Sequence, residues 1–512
     1  MSHFPATTRP VTLMMRESGA KTFRPDHGVE PTPGSPALAS AWVSTLRLPS
    51  SPHSAGCVSA TRQPARRQRE PPRMAHSPTV SSGHAARSPA GPTRLSAIYS
   101  FTFVNSLCAG LVTSGIFTIT DAGFNFSALE NFALGVVLGI MYIIGALGAR
   151  KFTDFLRRTR PSLTGRAILA GIIVSLSLLA SIPALVFGLG QVQPGSGGSW
   201  AIWLMIIIYS PLTGVLWPMV ESFLSGGRRG HELRQAIGKW NVIWSSSLVV
   251  GFVATSAAVK VAPGGALLLI GLIQLASVLI LRAFPAEPGE HVHEEHAATP
   301  PIYTDLLTTF RVLLPASYVV SSALGPILPI TCAAIGVAPE WRLIVASAWL
   351  LPRCLGFLAL ERWHGWHGRW SAAVVGGLLV AVGFAATIAS TWVARTQVGT
   401  PTLDVPALGV LLLGLALFGF GMAVIYAGAI YYAMEVGAAE VEAGGMHEAL
   451  IGVGYTGGPL LGVLAIAGAR QGWIAESSVN TVVLIGVLGV LAFAAVTVAK
   501  RVHDGHKKHR PT

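Results

Sequence analysis

Long apolar blocks alternate with short polar segments along most of this chain. Residues 169–190 and 481–499 contain no charged side chain at all. An α-helix needs about 20 apolar residues to cross the hydrocarbon core of a bilayer. Blocks of this length exceed the strands of a membrane barrel, so they predict membrane-spanning helices.

The same pattern continues through the chain and predicts twelve spans, which makes it an all-α polytopic membrane protein. The predicted ranges are 96–120, 129–149, 166–189, 200–224, 235–258, 264–283, 308–333, 342–361, 371–394, 406–433, 446–468 and 478–499. We expect two six-helix bundles, 96–283 and 308–499, joined by a polar central loop over 284–307. A basic tail over 500–512 follows the last span.

Residues 1–95 are rich in Pro, Ser, Arg and His and show little periodicity. Such a segment cannot bury a core, which predicts a disordered basic tail. Its Arg/Ser-rich, acid-poor composition is also typical of an organelle transit peptide. Met74 offers a third interpretation, an alternative start that leaves a short lead-in to the first span.

Composition supports a membrane protein. Of 512 residues, 51% are hydrophobic and 12% charged, against roughly 25% charged in soluble domains. The net charge of +13 is concentrated in the tails and loops. It therefore indicates segments beside anionic lipid and no nucleic-acid partner.

Lys and Arg are distributed unequally between the two sides. Loops after even-numbered spans and the C-terminal tail hold nineteen, and loops after odd-numbered spans hold four. By the positive-inside rule both termini are cytosolic. A start at Met74 would fit a protein of the bacterial inner (plasma) membrane.

A possible duplication appears in the two halves. The fourth span ends with Trp217 and Glu221, and the tenth ends with Tyr431 and Glu435, each an aromatic residue four positions before a glutamate. The second and eighth spans end near Arg150 and Arg362 at a similar offset. Parallel repeats of this kind occur in transporters.

Together these features resemble the major facilitator superfamily of transporters. The loop after the second span reads GALGARKFTD over 145–154. Gly145, Leu147, Gly148 and Arg150 fit that family's loop signature, whereas Ala149 stands where the signature has aspartate. The resemblance covers residues 96–499, rests mainly on architecture and identifies no subfamily.

The resemblance implies a cytosolic gate of ion pairs. It would pair Arg150 with Glu221 in one half and Arg362 with Glu435 in the other. The alternative is that these are ordinary charges at the membrane interface, reaching toward water.

Arg353 lies deep inside the eighth predicted span. A charge at that depth is costly unless it faces a cavity or a partner. It is either a cation that binds an acidic group of a ligand or a structural arginine that bonds helix carbonyls or reaches the cytosolic rim.

The resemblance also implies that spans 1, 4, 7 and 10 line a central cavity. Polar and aromatic residues there and on span 5 are candidate substrate contacts, although aromatics near span ends also serve as interfacial anchors. The candidates, with Arg353, are Asn105, Tyr209, Thr213, Trp217, Trp240, Asn241, Trp244, Tyr426 and Tyr431. Thr113, Ser321 and Ser322 belong to the same group.

His447 and Glu448 are predicted to open the eleventh span. They could take part in proton coupling, but an acid favoured by the helix dipole is the preferred interpretation. No carboxylate is predicted at the middle of a span.

Metal and cofactor chemistry find little support. The HVHEEH run at 291–296 could bind a metal, but a solvated loop explains it better. There is no phosphate-binding G-x-x-x-x-G-K-[ST] motif, no nucleophile elbow and no zinc-helix motif. We expect no cofactor and no catalytic residues.

The sequence thus favours a secondary active or facilitative transporter. It would act as a monomer in the lipid bilayer on a small substrate that is neutral or weakly acidic. Two alternatives stay open: a sensor or scaffold built on a transporter fold, and a membrane enzyme acting on lipids.

Overall fold

The computed structural model of the chain describes residues 92–190, 199–228, 230–289, 300–394, 402–436 and 441–508. Most of the predicted N-terminal tail, and the HVHEEH run, lie outside these ranges. The described residues are helical and contain no β-strand. The predicted all-α class is confirmed.

Fourteen α-helices make up the described chain. They are α1 Leu95–Thr113, α2 Ile116–Phe124, α3 Ala128–Thr159, α4 Gly165–Phe187, α5 Ser199–Ser225, α6 Gly230–Val261, α7 Pro263–Ala276, α8 Pro301–Ala334, α9 Pro339–Ala346, α10 Leu350–Arg362, α11 Trp370–Val393, α12 Val405–Val436, α13 Val441–Arg470 and α14 Val479–Lys508. A 3₁₀ segment, Ser277–Ala283, extends α7. Twelve helical stretches are long and apolar enough to cross a membrane, as predicted.

Several helices run beyond their predicted spans. The second span was predicted over 129–149, yet α3 continues to Thr159 with Arg157 and Arg158 in its last turn. Basic side chains favour the negative end of the helix dipole, so this polar extension stays helical outside the apolar block. At the other end of α3, Ser127 and Glu130 form a reciprocal capping box.

Two spans are interrupted. The first, predicted as 96–120, breaks at Ser114 and Gly115 between α1 and α2. The eighth, predicted as 342–361, breaks between α9 and α10 over residues 347–349. Hydropathy does not register such breaks, because the residues on both sides remain apolar.

Helices α1–α7, called here the first half, and α8–α14, the second half, meet where glycines allow close approach. An added Cβ at Gly139 of α3 would lie 2.8 Å from the Cα atom of Thr456 in α13. Farther along the same crossing, a Cβ at Gly445 would lie 2.6 Å from the carbonyl oxygen of Ala146. Small residues at such crossings let backbones touch.

We call the end of the bundle that carries Leu95 and Lys508 the terminal end. An even number of spans returns the chain to the side from which it started. Near the terminal end, α6 meets α10: a Cβ at Gly238 would lie 3.2 Å from the Cβ of Glu361.

The α3–α13 crossing yields the first testable prediction. Gly139→Ala should lower the melting temperature of the purified protein, because the methyl group meets backbone atoms of Thr456. Overpacking of this kind costs about 1–3 kcal/mol.

Gly148→Ala on the same helix is the matched control. A Cβ at Gly148 meets nothing within 4 Å, and alanine favours helix over glycine. Equal melting temperatures for the two variants would contradict the close crossing.

Candidate functional site

A cavity lies between the two halves. Its walls come from α1, α3, α5, α6, α8, α12 and α13, and from α10 with the residue before it. The lining residues are Ser106, Ala109, Gly110, Thr113, Ser114, Tyr142, Thr213, Trp217, Trp240, Trp244, Leu248, Tyr318, Ser321, Trp349, Arg353, Tyr426, Glu448, Ile451 and Tyr455.

A layer of three aromatic rings closes this cavity toward the terminal end. Trp244 of the first half lies 5.6 Å from Phe357 and 5.1 Å from Tyr426 of the second half, measured between ring centroids. Phe357 and Tyr426 are 5.7 Å apart. Phe357 also lines a separate cavity at the terminal end. Trp244 and Tyr426 line the central cavity, so the three rings of this aromatic layer lie between the two cavities.

Away from the terminal end, the cavity continues into a second space. The two share Thr113, Ser114, Ser321, Trp349 and Tyr455. Other residues lining the second space, such as Phe117 and Leu343, are half-exposed. The path from the central cavity thus leads toward the end opposite the termini.

Arg353 is fully buried and faces the central cavity. Its guanidinium carbon lies 4.4 Å from the ring centroid of Trp244. Four further rings lie at 5.4–5.7 Å, those of Tyr318, Trp349, Phe357 and Tyr426. Cation–π contacts of this kind stabilise a buried positive charge.

The hydrogen bonds of Arg353 are few. Nη2 donates to the hydroxyl of Tyr318 at 2.9 Å. Nε has no partner among the described residues, and no ion pair joins Arg353 to any described carboxylate. No described hydrogen bond joins the Arg353 side chain to a helix carbonyl, and its role in binding a ligand stays a prediction.

Glu448 lies elsewhere than predicted. Helix α13 begins at Val441, so Glu448 lies about two turns into it rather than at its start. The helix-dipole interpretation is therefore wrong for Glu448. Glu442 occupies the first turn instead. Glu448 is buried, lines the central cavity and accepts a hydrogen bond from the hydroxyl of Tyr142.

The predicted substrate contacts separate into two groups. Eight of them line the central cavity: Thr113, Thr213, Trp217, Trp240, Trp244, Ser321, Arg353 and Tyr426. Five do not: Asn105, Tyr209, Asn241, Ser322 and Tyr431. Asn241 accepts a hydrogen bond from Trp244 Nε1 at 3.1 Å, and both Asn241 and Tyr431 face the terminal-end cavity.

Asn105 and Tyr209 belong to a buried network within the first half. Tyr209 donates to Gln274 Oε1 at 3.1 Å, and Asn105 Nδ2 donates to Ser277 Oγ at 3.0 Å. Gln274 Nε2 lies 3.4 Å from Asn105 Oδ1. These polar groups satisfy one another, so their role is structural.

The predicted gate pairs are not formed. Arg150 bonds Glu442 at 2.7 Å instead of Glu221. Glu221 is buried against α13 and has no hydrogen-bond partner among the described residues, because its side chain packs beside Gly444, away from the exposed rim where Arg150 lies. No ion pair joins Arg362 to Glu435, although the structure describes both.

The terminal-end cavity holds several ring contacts. His367 stacks on Tyr431 with centroids 4.4 Å apart. Burial, together with the nearby groups Arg234 and His364, lowers the pKa of His367 to about 4. Where the chain is described, no group of three or more His, Cys, Asp or Glu residues could hold a metal ion.

Sequence reasoning did not anticipate several wall residues, among them Tyr142, Tyr318, Trp349 and Tyr455, and it considered Glu448 only for proton coupling. Tyr142 lies on the second span and Trp349 on the eighth, which were not expected to supply wall residues other than Arg353. Tyr318 lies near Ser321 in the seventh predicted span, so its hydroxyl could have marked it as a candidate wall residue.

Comparison with known proteins finds a similar fold but no similar sequence. The sequence matches no protein-family model and no curated protein. Among solved structures, the chain is similar to a mutant form of the nucleoside transporter NupG, with a TM-score of 0.54 and 14% identity over 80% of this chain and 99% of that chain. For a second NupG crystal structure the TM-score is 0.52 and the identity is 13%, and the match covers 80% of this chain and 98% of that chain. The likeness to these structures supports the predicted fold, an all-α arrangement with twelve candidate membrane-spanning helices in the described chain.

The buried network leads to a prediction about stability. Asn105→Ala should lower the melting temperature, because Gln274 and Ser277 lose a partner inside the protein. Leaving a buried polar group unsatisfied costs about 1–3 kcal/mol.

Ser175→Ala serves as the control, since the exposed Ser175 bonds only the carbonyl of Gly171 in its own helix. A normal melting temperature for Asn105→Ala would show that the network does not stabilise the first half.

Proposed function

We propose that this chain is a secondary active or facilitative transporter that moves a small solute across a membrane by alternating access. The observation that carries the proposal is the central cavity between the halves, closed at the terminal end by a single aromatic layer. A site that both halves build and one thin layer closes can be exposed to either side by a modest rearrangement.

Opening toward the terminal end would require the contacts between the halves at that end to separate. They include Ala146 with Gly445, Trp244 with Phe357 and Tyr426, Gly238 with Glu361, and Arg150 with Glu442. The last pair is largely exposed, so it contributes at most about 1 kcal/mol. Arg150 keeps its proposed gate role with Glu442 as its partner. Glu221 acts there through packing, and Arg362 and Glu435 remain unpaired candidates at the rim.

The Lys/Arg distribution supports a cytosolic terminal end, and we propose a plasma-membrane protein with both termini inside. The boundaries of the two bundles, 96–283 and 308–499, and the monomeric state belong to the same proposal. We propose no subfamily within the major facilitator class, because that assignment depends on the substrate.

Flux into proteoliposomes tests this function directly. We expect uptake of at least one of tritiated uridine, phenylalanine, glucose or benzoate above that of protein-free vesicles. Uridine is included because the similar structures are of nucleoside transporters. Absence of flux for a broad panel would favour the sensor or scaffold alternative, and release of lipid products would favour the enzyme.

A reversible crosslink provides a sharper prediction. In a variant without native cysteines, the pair Gly238→Cys and Glu361→Cys should form a disulfide, since a Cβ at Gly238 lies 3.2 Å from that of Glu361, close to disulfide geometry. Oxidation should abolish flux by holding the terminal end closed, and reduction should restore it.

The control pair joins two helices within the second half. A Cβ at Gly376 of α11 lies 3.3 Å from that of Val424 in α12, so Gly376→Cys with Val424→Cys adds a crosslink of the same length. Flux should survive its oxidation. If oxidation of the first pair also leaves flux intact, the terminal end does not open during transport.

A further inference from the structure

Two opposite charges line the central cavity without pairing. They are Arg353 on α10 and Glu448 on α13, the only Lys, Arg, Asp or Glu among its lining residues. Both are at least 97% buried, with 2% and 3% of their surfaces exposed. No ion pair joins them. Buried charges are expensive unless they are compensated, and these two do not compensate each other.

The Arg353 end is prepared for an anion. A guanidinium offers five N–H donors, and its one described hydrogen bond goes to Tyr318. The five surrounding rings stabilise its charge through their faces and use none of these donors. Nε is itself buried, so the donors that remain for a planar acceptor such as a carboxylate are those of the terminal nitrogens.

The Glu448 end is prepared for a donor. Its carboxylate accepts from Tyr142, and an ionised carboxylate has about four acceptor positions in all. A simple organic anion in this cavity would be repelled by Glu448. A simple cation would be repelled by Arg353.

Aromatic rings cover much of the wall between these two charges. Trp217, Trp240, Trp244 and Trp349 line the cavity together with tyrosines. Such rings favour a flat apolar body through stacking and edge contacts.

Resting on the transporter function proposed above, we propose that the substrate is a small zwitterion with a flat apolar body, of the kind represented by aromatic amino acids. Its carboxylate binds the Arg353 guanidinium, its ammonium binds the Glu448 carboxylate, and its ring packs against the tryptophans. This narrows the expected neutral or weakly acidic substrate to a neutral one that carries both charges.

Four probes on the unmodified protein test the charge requirement. Phenylalanine carries both groups, 3-phenylpropionate lacks the ammonium, 2-phenylethylamine lacks the carboxylate, and uridine carries neither. Titration followed by intrinsic tryptophan fluorescence reports binding, because four tryptophans line the cavity. Phenylalanine should bind at least about tenfold more tightly than the other three, the minimum for a charge-assisted hydrogen bond.

Variants then assign each charge to its partner. Arg353→Gln should weaken phenylalanine at least about tenfold and leave 2-phenylethylamine unweakened. Glu448→Gln should weaken phenylalanine similarly and leave 3-phenylpropionate unweakened. Each variant thus has one probe whose binding shows that the cavity is intact. If Arg353→Gln does not fold, Arg353→Lys replaces it, because lysine keeps the charge and loses the planar fork. This variant should still bind phenylalanine, but more weakly than the unmodified protein does.

The outcomes separate the two proposals. Equal affinity for phenylalanine and either singly charged analogue, or tight binding of uridine alone, overturns the zwitterion proposal whatever the flux result. Binding of phenylalanine without flux in proteoliposomes overturns transport and keeps the zwitterion site. Flux of uridine without phenylalanine binding keeps transport and overturns the zwitterion site.

Discussion

Close glycine crossings between the two halves hold this bundle together and fix where its cavity can be. Lipid tails are as apolar as leucine, so helices in a bilayer associate through packing contacts rather than through hydrophobic burial. Gly139 and Gly445 place α3 against α13 along much of their length, and Gly238 places α6 against α10. Where these crossings end, larger aromatic side chains separate the halves, and the space between the rings is the central cavity. The aromatic layer of Trp244, Phe357 and Tyr426 depends on that spacing, since a wider gap would part the rings.

The buried guanidinium of Arg353 is the strongest electrostatic feature of the site. Removing a charge from water is costly, and a protein can offset the cost with a counter-ion, hydrogen bonds or aromatic faces. Arg353 relies mainly on aromatic faces, with Trp244 nearest at 4.4 Å. This solution stabilises the cation and leaves most of its donors available. Glu448 is on another helix and is oriented by Tyr142, so the two charges are held apart rather than neutralising each other.

The sequence predicts well where the helices lie, but it predicts poorly which side of each helix faces the cavity. Twelve spans follow from apolar length alone, which physical partition into lipid determines. The orientation of a side chain in a span is harder, because lipid-facing and core-facing surfaces are both apolar and leave little periodic signal. Asn105 and Trp244 therefore looked equally functional, yet Asn105 bonds within the first half and Trp244 faces the cavity. The partner of Arg150 was also out of reach, because Glu442 pairs with it only when α13 begins at Val441, ahead of the apolar block.

Glu221 suggests why the closed terminal end need not be permanent. Both of its carboxyl oxygens are buried without a hydrogen-bond partner in the described part of the chain, and an unsatisfied buried group costs about 1–3 kcal/mol. Separation of α5 from α13 would return this group to water and recover that cost. The glycine crossings and the Arg150–Glu442 pair act in the opposite direction, since separation would remove their contacts. The two effects oppose each other, and a bound solute can shift the balance between two arrangements only when their free energies differ by a few kcal/mol.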